Sequence, residues 1–313
     1  MQVSLIQQKF TGNKETTRER TVQMISESKG ELVVLQELHQ TEYFCKSENP
    51  SHFKLAETFK EDLEFWLEVS QKEKRVLVTS LFEKGLEGVY YNTAVVMDKG
   101  KIAGFYRKTH IPDDPGFYEK FYFTPGEKII PIDTSVGRLG VLICWDQWYP
   151  EPARLMTLAG AEILIYPTAI GWLECPTDRF DALCEQENSQ LEREKMWESW
   201  IGVQRGHAIA NGIPVVTVNR VGFEPDQSGV LGGITFWGSS FGFGPQGELL
   251  GMGSRQREEI VELEIDLKKG REIRKIWPFL RDRRIELYRG LTSRTLTCSV
   301  VEKLMETDKG NRN

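Results

Sequence analysis

The sequence predicts a mixed α/β domain in which βα units are interspersed with antiparallel hairpins. Two observations carry this. Short apolar, β-branched runs recur through the first two thirds of the chain, separated by stretches of helical periodicity. Asp98-Lys-Gly100 and Val136-Gly-Arg138 each place a tight-turn signal between two strand-like runs.

Taken in order, strands are expected at 3–7, 32–35, 76–82, 93–97, 102–106, 129–133, 139–144, 163–166 and 214–218. Helices are expected at 15–28, 56–74, 152–160 and 189–211. The first helix is polar, with Val22 and Ile25 three residues apart, as a helix lying on a surface should be. No repeat, low-complexity tract or Pro/Ser-rich linker divides the chain, so one domain is expected over 1–289. Residues 290–313 read as an appended Thr/Ser-rich tail with a weakly amphipathic segment at 300–305. Residues 171–200 form an acidic stretch. There Glu174, Asp178, Asp181, Glu185, Glu187, Glu192, Glu194 and Glu198 stand against Arg179, Arg193 and Lys195.

The 313 residues are 40% hydrophobic and 27% charged, enough for a sizeable core without metal or disulfide staples. A net charge of −6 argues against nucleic acid or an anionic membrane as partner, since both need a clustered basic face. No apolar run approaches the ~20 residues that span a bilayer, and no signal peptide is evident. Cys45, Cys144, Cys175, Cys184 and Cys298 are odd in number and contain no Cys-x-x-Cys pair, with only four histidines beside them. Neither a disulfide framework nor a structural zinc site is expected. The chain reads as cytoplasmic, with reduced thiols.

The segment richest in chemistry is Gly140-Val-Leu-Ile-Cys144-Trp-Asp146-Gln-Trp-Tyr-Pro150-Glu-Pro152. An apolar strand ends at a cysteine, a short turn follows, and Pro152 stands where the first turn of a helix tolerates a missing N–H. This is the layout of a nucleophile elbow, whose nearby backbone N–H groups and helix end favour thiolate. Leu35-Gln-Glu37 and Tyr106-Arg-Lys108 put a carboxylate and an ammonium at the ends of two other strands. Strand ends converge on one rim of a sheet, so Glu37, Lys108 and Cys144 are expected to meet. His207 lies in a helical pattern and reads as a packed, structural histidine. His110 follows Lys108 by two and is a candidate for the site mouth. Gly242-Phe-Gly-Pro-Gln-Gly247 lacks the Lys-Ser/Thr of a phosphate loop and reads as a turn.

These motifs resemble the nitrilase, or carbon–nitrogen hydrolase, superfamily over roughly residues 1–288, with Glu37, Lys108 and Cys144 matching its Glu–Lys–Cys triad in order and context. The resemblance is strongest to the N-carbamoylputrescine amidase branch. It rests on Tyr43-Phe-Cys45, Tyr106-Arg-Lys-Thr-His-Ile-Pro-Asp-Asp-Pro, Gly116-Phe-Tyr-Glu119, Ile143-Cys-Trp-Asp-Gln-Trp-Tyr-Pro-Glu, Tyr166-Pro-Thr-Ala-Ile-Gly and Gln204-Arg-Gly-His-Ala. Gln36 departs from the proline usual in the superfamily but agrees with this branch. The resemblance implies a four-layer α-β-β-α sandwich that pairs into homodimers or larger homo-oligomers, and it implies no metal and no cofactor. It gives Glu119 a second carboxylate role beside the lysine.

The implied reaction is hydrolysis of an N-carbamoyl amine to amine, carbon dioxide and ammonia. A cationic carbamoyl substrate would need a carboxylate for its distal ammonium. Asp113, Asp114, Glu119, Asp146, Glu174 and Asp178 are the candidates, with Trp145, Trp148 and Tyr149 as candidate walls and His110 at the mouth. Hydrolysis of N-carbamoyl-β-alanine or another ω-amide, or a non-catalytic binding role, stands as the alternative.

Overall fold

The computed structural model describes residues 1–175, 189–229 and 231–296. The chain divides into two compact units, Met1–Ile276 and Trp277–Asn313. The boundary falls ahead of the 289/290 division suggested by the sequence. Within the second unit, residues 285–292 form 3-10 turns. The segment at 300–305, with Asp178, Arg179, Asp181, Cys184, Glu185, Glu187 and Cys298, lies outside the described residues.

In the first unit, β1 (Gln2–Gln7) pairs in parallel with β2 (Leu32–Leu35), and β2 with β3 (Val76–Leu86). The sheet continues through antiparallel β4 (Val89–Asp98) and β5 (Lys101–Arg107). Its other edge is the late strand β15 (Glu259–Glu264), giving the order β15-β1-β2-β3-β4-β5. A second six-stranded sheet is built from β6 (Ile132–Thr134), β7 (Gly137–Val141), β8 (Ile163–Thr168), β10 (Val215–Asn219), β13 (Phe241–Phe243) and β14 (Leu249–Met252). Its order is β14-β13-β10-β8-β7-β6. Three more strands, β9 (Gly171–Glu174), β11 (Val221–Pro225) and β12 (Gly233–Trp237), form a small antiparallel sheet.

Strand alternation explains how the layers stack. Val3 and Leu5, Leu32 and Val34, Val76 and Val78, and Ala94 and Val96 share one core with Leu139, Val141, Ile163, Ile165, Val216 and Val218 of the facing sheet. The intervening residues Ile6, Val33, Leu35, Leu77, Val95 and Met97 point the other way. They bury Met24 and Ile25 of helix α1 (Lys14–Glu27) and Trp66 and Val69 of helix α2 (Phe59–Glu73). On the far side of the second sheet lie α4 (Pro150–Leu158) and α5 (Gln190–Asn211), which contribute Ala153, Met156, Trp200 and Ala208 to the central core. The expected α-β-β-α sandwich is therefore present. Two further helices, α3 (Glu119–Tyr122) and α6 (Leu267–Ile276), complete the first unit among the described residues.

Three local expectations need correction. Helix α4 begins at Pro150 rather than 152, because proline occupies its first position and the preceding Cys144–Trp148 segment is a 3-10 turn. Strands β9 and β11 to β15 were not foreseen; β9 and β11 to β14 are short and broken by glycines or polar residues, whereas the alternation of Val261 and Leu263 with Glu262 and Glu264 in β15 was there to read. Cys175 is disulfide-bonded, whereas Cys45 and Cys144 are free. Neither an odd cysteine count nor the lack of Cys-x-x-Cys excludes a single bridge. No helix among the described residues is long and apolar enough to cross a membrane.

Candidate active site

Glu37 and Lys108 leave the ends of β2 and β5 in the first sheet, while Cys144 follows β7 in the second. They thus approach across the sandwich, rather than along the rim of one sheet. Lys108 is fully buried and sits between two carboxylates, 2.8 Å from Glu37 Oε1 and 2.6 Å from Glu119 Oε2. Glu37 Oε1 also accepts Asn92 Nδ2 at 2.7 Å, and Glu119 Oε1 accepts the Tyr43 hydroxyl at 2.7 Å. The second oxygen of Glu37, Oε2, is buried without a hydrogen-bond partner. A buried acceptor left open is rare and costly, so it marks a place where a proton donor is to arrive.

Electrostatics follow from this enclosure. Burial alone would lower the Lys108 ammonium, but the Glu119 and Glu37 carboxylates outweigh it and hold it well above its ordinary value. Burial pushes Glu119 up to about 7, with Lys108 opposing and Glu37 reinforcing the shift. Cys144 is pushed well above the ordinary thiol value by burial and by Glu37, against the pull of Lys108. The backbone N–H groups and helix end that favour thiolate are opposed here by two carboxylates and a dry environment. The Cys144 Sγ lies 3.8 Å from the Ala169 carbonyl oxygen.

The cysteine's backbone is unusual. Its φ is +41°, in the left-handed region that side-chain-bearing residues avoid. It opens the 3-10 turn Cys144–Trp148 and lines a pocket of about 370 Å³. Trp145, Trp148, Phe117, Trp237 and Leu173 form apolar walls, and Asp114 and Glu119 are its acidic lining residues. No lysine, arginine or histidine is among the described residues lining it. Asp114 is exposed and makes no side-chain hydrogen bond or ion pair among the described residues.

The structure separates the other candidates from this pocket. Asp146 is buried beneath the turn, where Oδ2 accepts Tyr106 OH and the Ile143 N–H, and Oδ1 accepts from Thr109 and His110. With its oxygens so committed, it is corrected from a substrate ligand to a structural tie. His110 bonds to Asp146 through Nδ1 and stacks on Tyr149 at 3.9 Å, away from the pocket lining. Asp113 is exposed and lies 3.8 Å from Lys120, and of the two adjacent aspartates it is Asp114 that lines the pocket. Glu174 is held by Arg193 at 2.9 Å. Burial raises its carboxyl, yet the bonds from Arg193 and Thr235 prevail and keep it below the ordinary range. His207 donates to the Gln147 carbonyl at 2.8 Å, a structural contact.

Sequence reasoning missed Asn92 as Glu37's partner and Tyr43 as Glu119's. A signal for Asn92 existed, since it falls in β4 on the same strand face as Ala94 and Val96, where an unpaired amide is not tolerated.

A four-layer sandwich that sets a cysteine between a buried Glu–Lys–Glu cluster and an apolar pocket defines a carbon–nitrogen hydrolase. The chain belongs to that family, whose model, described as carbon-nitrogen hydrolase, matches residues 2–275. It is 36% identical to the N-carbamoylputrescine amidase of Oryza sativa, over 88% of either chain. It is 35% identical to the citrullinase of Francisella tularensis, over 92% of this chain and 96% of the relative. The crystal structure of a carbon-nitrogen hydrolase from Helicobacter pylori superposes with a TM-score of 0.89 at 51% identity, covering 95% of this chain and 99% of that one.

Proposed function

We propose that this enzyme hydrolyses an N-carbamoyl amine that carries a distal ammonium, N-carbamoylputrescine being the substrate of that description. Glu37 takes the Cys144 proton through its open Oε2, and the sulfur attacks the ureido carbonyl carbon. The resulting oxyanion is stabilised by Lys108 and by the backbone N–H of Trp145, which as an early residue of its turn has no acceptor there. As the carbonyl re-forms, the C–N bond to the amine breaks and Glu37 returns the proton to the leaving nitrogen. The carbamoyl thioester remains. Water, deprotonated by Glu37, attacks it, expels the Cys144 sulfur and releases carbamate, which decomposes to carbon dioxide and ammonia. Glu119 orients Lys108 throughout.

The observation that carries the substrate assignment is Asp114, an unengaged carboxylate on an apolar wall that offers no cation among the described residues. Such a pocket suits an ammonium at the end of an alkyl chain and disfavours a lone carboxylate. Ammonia release from N-carbamoylputrescine, citrulline and N-carbamoyl-β-alanine tests it. The cationic compound should exceed the anionic one in kcat/KM by at least about 10-fold, the scale of one charge-assisted hydrogen bond. Equal rates would remove the diamine assignment, and faster turnover of citrulline would replace it with a ureido amino acid. The reading includes a homo-oligomer, and a strictly monomeric active species in light scattering would refute that part.

A further inference from the structure

The loop after β2 meets the buried cluster twice. Glu37, at its start, bonds Lys108 directly, and Tyr43, farther along, donates its hydroxyl to Glu119. What fixes this loop comes from a distant part of the chain. Arg220, between β10 and β11, is fully buried, and its Nη1 donates to the Thr41 carbonyl at 2.9 Å and to Glu224 Oε1 at 2.5 Å. Its Nη2 donates to the carbonyls of Leu38 at 2.8 Å and Glu37 at 3.3 Å. Glu224, on β11, uses Oε2 to accept the Tyr43 backbone N–H at 2.7 Å and Lys46 Nζ at 3.3 Å. Leu38 meanwhile sits at a φ of +47°, a conformation that persists only where surroundings impose it.

A buried Arg–Glu pair is a poor device for stability alone, because desolvation cancels much of its attraction. Here most of its bonds go to the backbone of one short loop, which points to a different purpose. We propose that Arg220 and Glu224 are positioning residues for catalysis, clamping both ends of the 37–43 loop so that Glu37 and, through Tyr43, Glu119 meet Lys108 in register. The proposal rests on the Glu37–Lys108–Cys144 assignment and extends it to residues that do not line the pocket.

The test uses the full-length protein and steady-state kinetics on N-carbamoylputrescine, or on whichever panel compound is turned over. Arg220→Lys keeps the charge but loses the fork, and Glu224→Gln keeps the shape but loses the charge. Each should lower kcat about 10- to 100-fold with KM within about threefold, since small misplacements of reacting groups are costly. Arg220→Ala should be worse than Arg220→Lys, so the conservative variant rescues part of the loss. Tyr43→Phe adds a pH readout. The charged and titratable groups around Glu119 are Lys108, Glu37, Tyr43, Cys45 and Cys144. Of these, Tyr43 donates to the anion, so removing its hydroxyl should move the acid limb of kcat/KM to higher pH. A Glu224→Gln protein that melts earlier but keeps wild-type kcat would overturn the proposal, as would a change confined to KM. If the arginine variants fail to fold, Glu224→Gln alone decides. Cys144→Ala separates the two levels. Activity in that variant would refute the site itself, whereas an inactive Cys144→Ala beside an unaffected Glu224→Gln would refute only the clamp.

Discussion

Asp146 Oδ1 accepts both the backbone N–H of His110, at 3.0 Å, and its ring Nδ1, at 2.7 Å. His110, two positions after Lys108, is thereby tied to a residue two beyond Cys144, across the two sheets of the sandwich. Replacing Asp146 by alanine strands the N–H groups of Ile143 and His110 and leaves Tyr106 OH with Thr109 alone. A loss of about 3–5 kcal/mol is expected, the range seen when a buried, multiply bonded charge is removed. Denaturant unfolding measures it. A change under about 1 kcal/mol would mean that the turn is held by other contacts.

Cys144→Ala, Glu37→Gln and Lys108→Ala should each lower kcat by at least about 1,000-fold. Any two combined should be little worse than one, because residues of a single catalytic unit are not additive. The variants are to be compared at matched folding, judged by circular dichroism. Residual activity near wild type in Cys144→Ala would place the chemistry elsewhere.

Iodoacetamide should label Cys144 in the native protein and leave Cys45 untouched, since Cys45 is fully buried in a separate aromatic cluster. Burial raises the Cys144 thiol, so its labelling is expected to depend on proton removal by Glu37. Glu37→Gln should therefore slow alkylation about 10-fold or more. Iodoacetate should react more slowly than the neutral amide, repelled by Glu119 and Asp114. Mass spectrometry of time-resolved digests reports both, and an unchanged rate in Glu37→Gln would argue for a standing thiolate.

Asp114→Asn should raise KM for N-carbamoylputrescine by about 10- to 100-fold, the equivalent of one charged hydrogen bond. N-carbamoylbutylamine, which lacks the ammonium, should be indifferent to the substitution. A matching loss on the neutral compound would show that Asp114 shapes the pocket without reading charge.

The upward shift of Glu119 has a definite sign. A carboxyl that ionises near about 7 is neutral below that pH, and Lys108 then loses one of its two anionic partners. Activity should fall as pH drops through about 7, and Glu119→Gln should remain low across the same range. Stability runs the other way. The native carboxyl binds its proton more tightly than the unfolded one, with its ordinary value of 4.5, so its contribution is fullest below that value. It is lost as pH rises toward about 7. Wild type should therefore lose stability relative to Glu119→Gln between pH 5 and 8, as thermal melts would report. Parallel curves would refute the shift.

Much of this was legible in the residues. The apolar runs before Glu37, Lys108 and Cys144 could hardly be anything but strands, and charged or thiol groups at strand ends stand out. Glu119 could not be read the same way. It lies on the four-residue helix α3 after an irregular loop, and only resemblance to a family pointed to it. The candidate carboxylates were narrowed to an acidic neighbourhood and no further, because nothing in Asp113-Asp114 says which of the two lines a pocket. Asp146 looked like a ligand for its nearness to Cys144, whereas its five donors come from residues 106–110 and 143. Arg220 and Glu224 reach the 37–43 loop across more than 170 positions of sequence. Such contacts exist only after folding and leave no local pattern.

The left-handed backbone at Cys144 sets stability and activity at odds in a single position. An L-residue there carries a conformational cost of about 1–2 kcal/mol that glycine escapes. A Cys144→Gly protein should consequently tolerate heat better than Cys144→Ala while being equally inert. The thiol therefore occupies a position where its own side chain costs the fold stability.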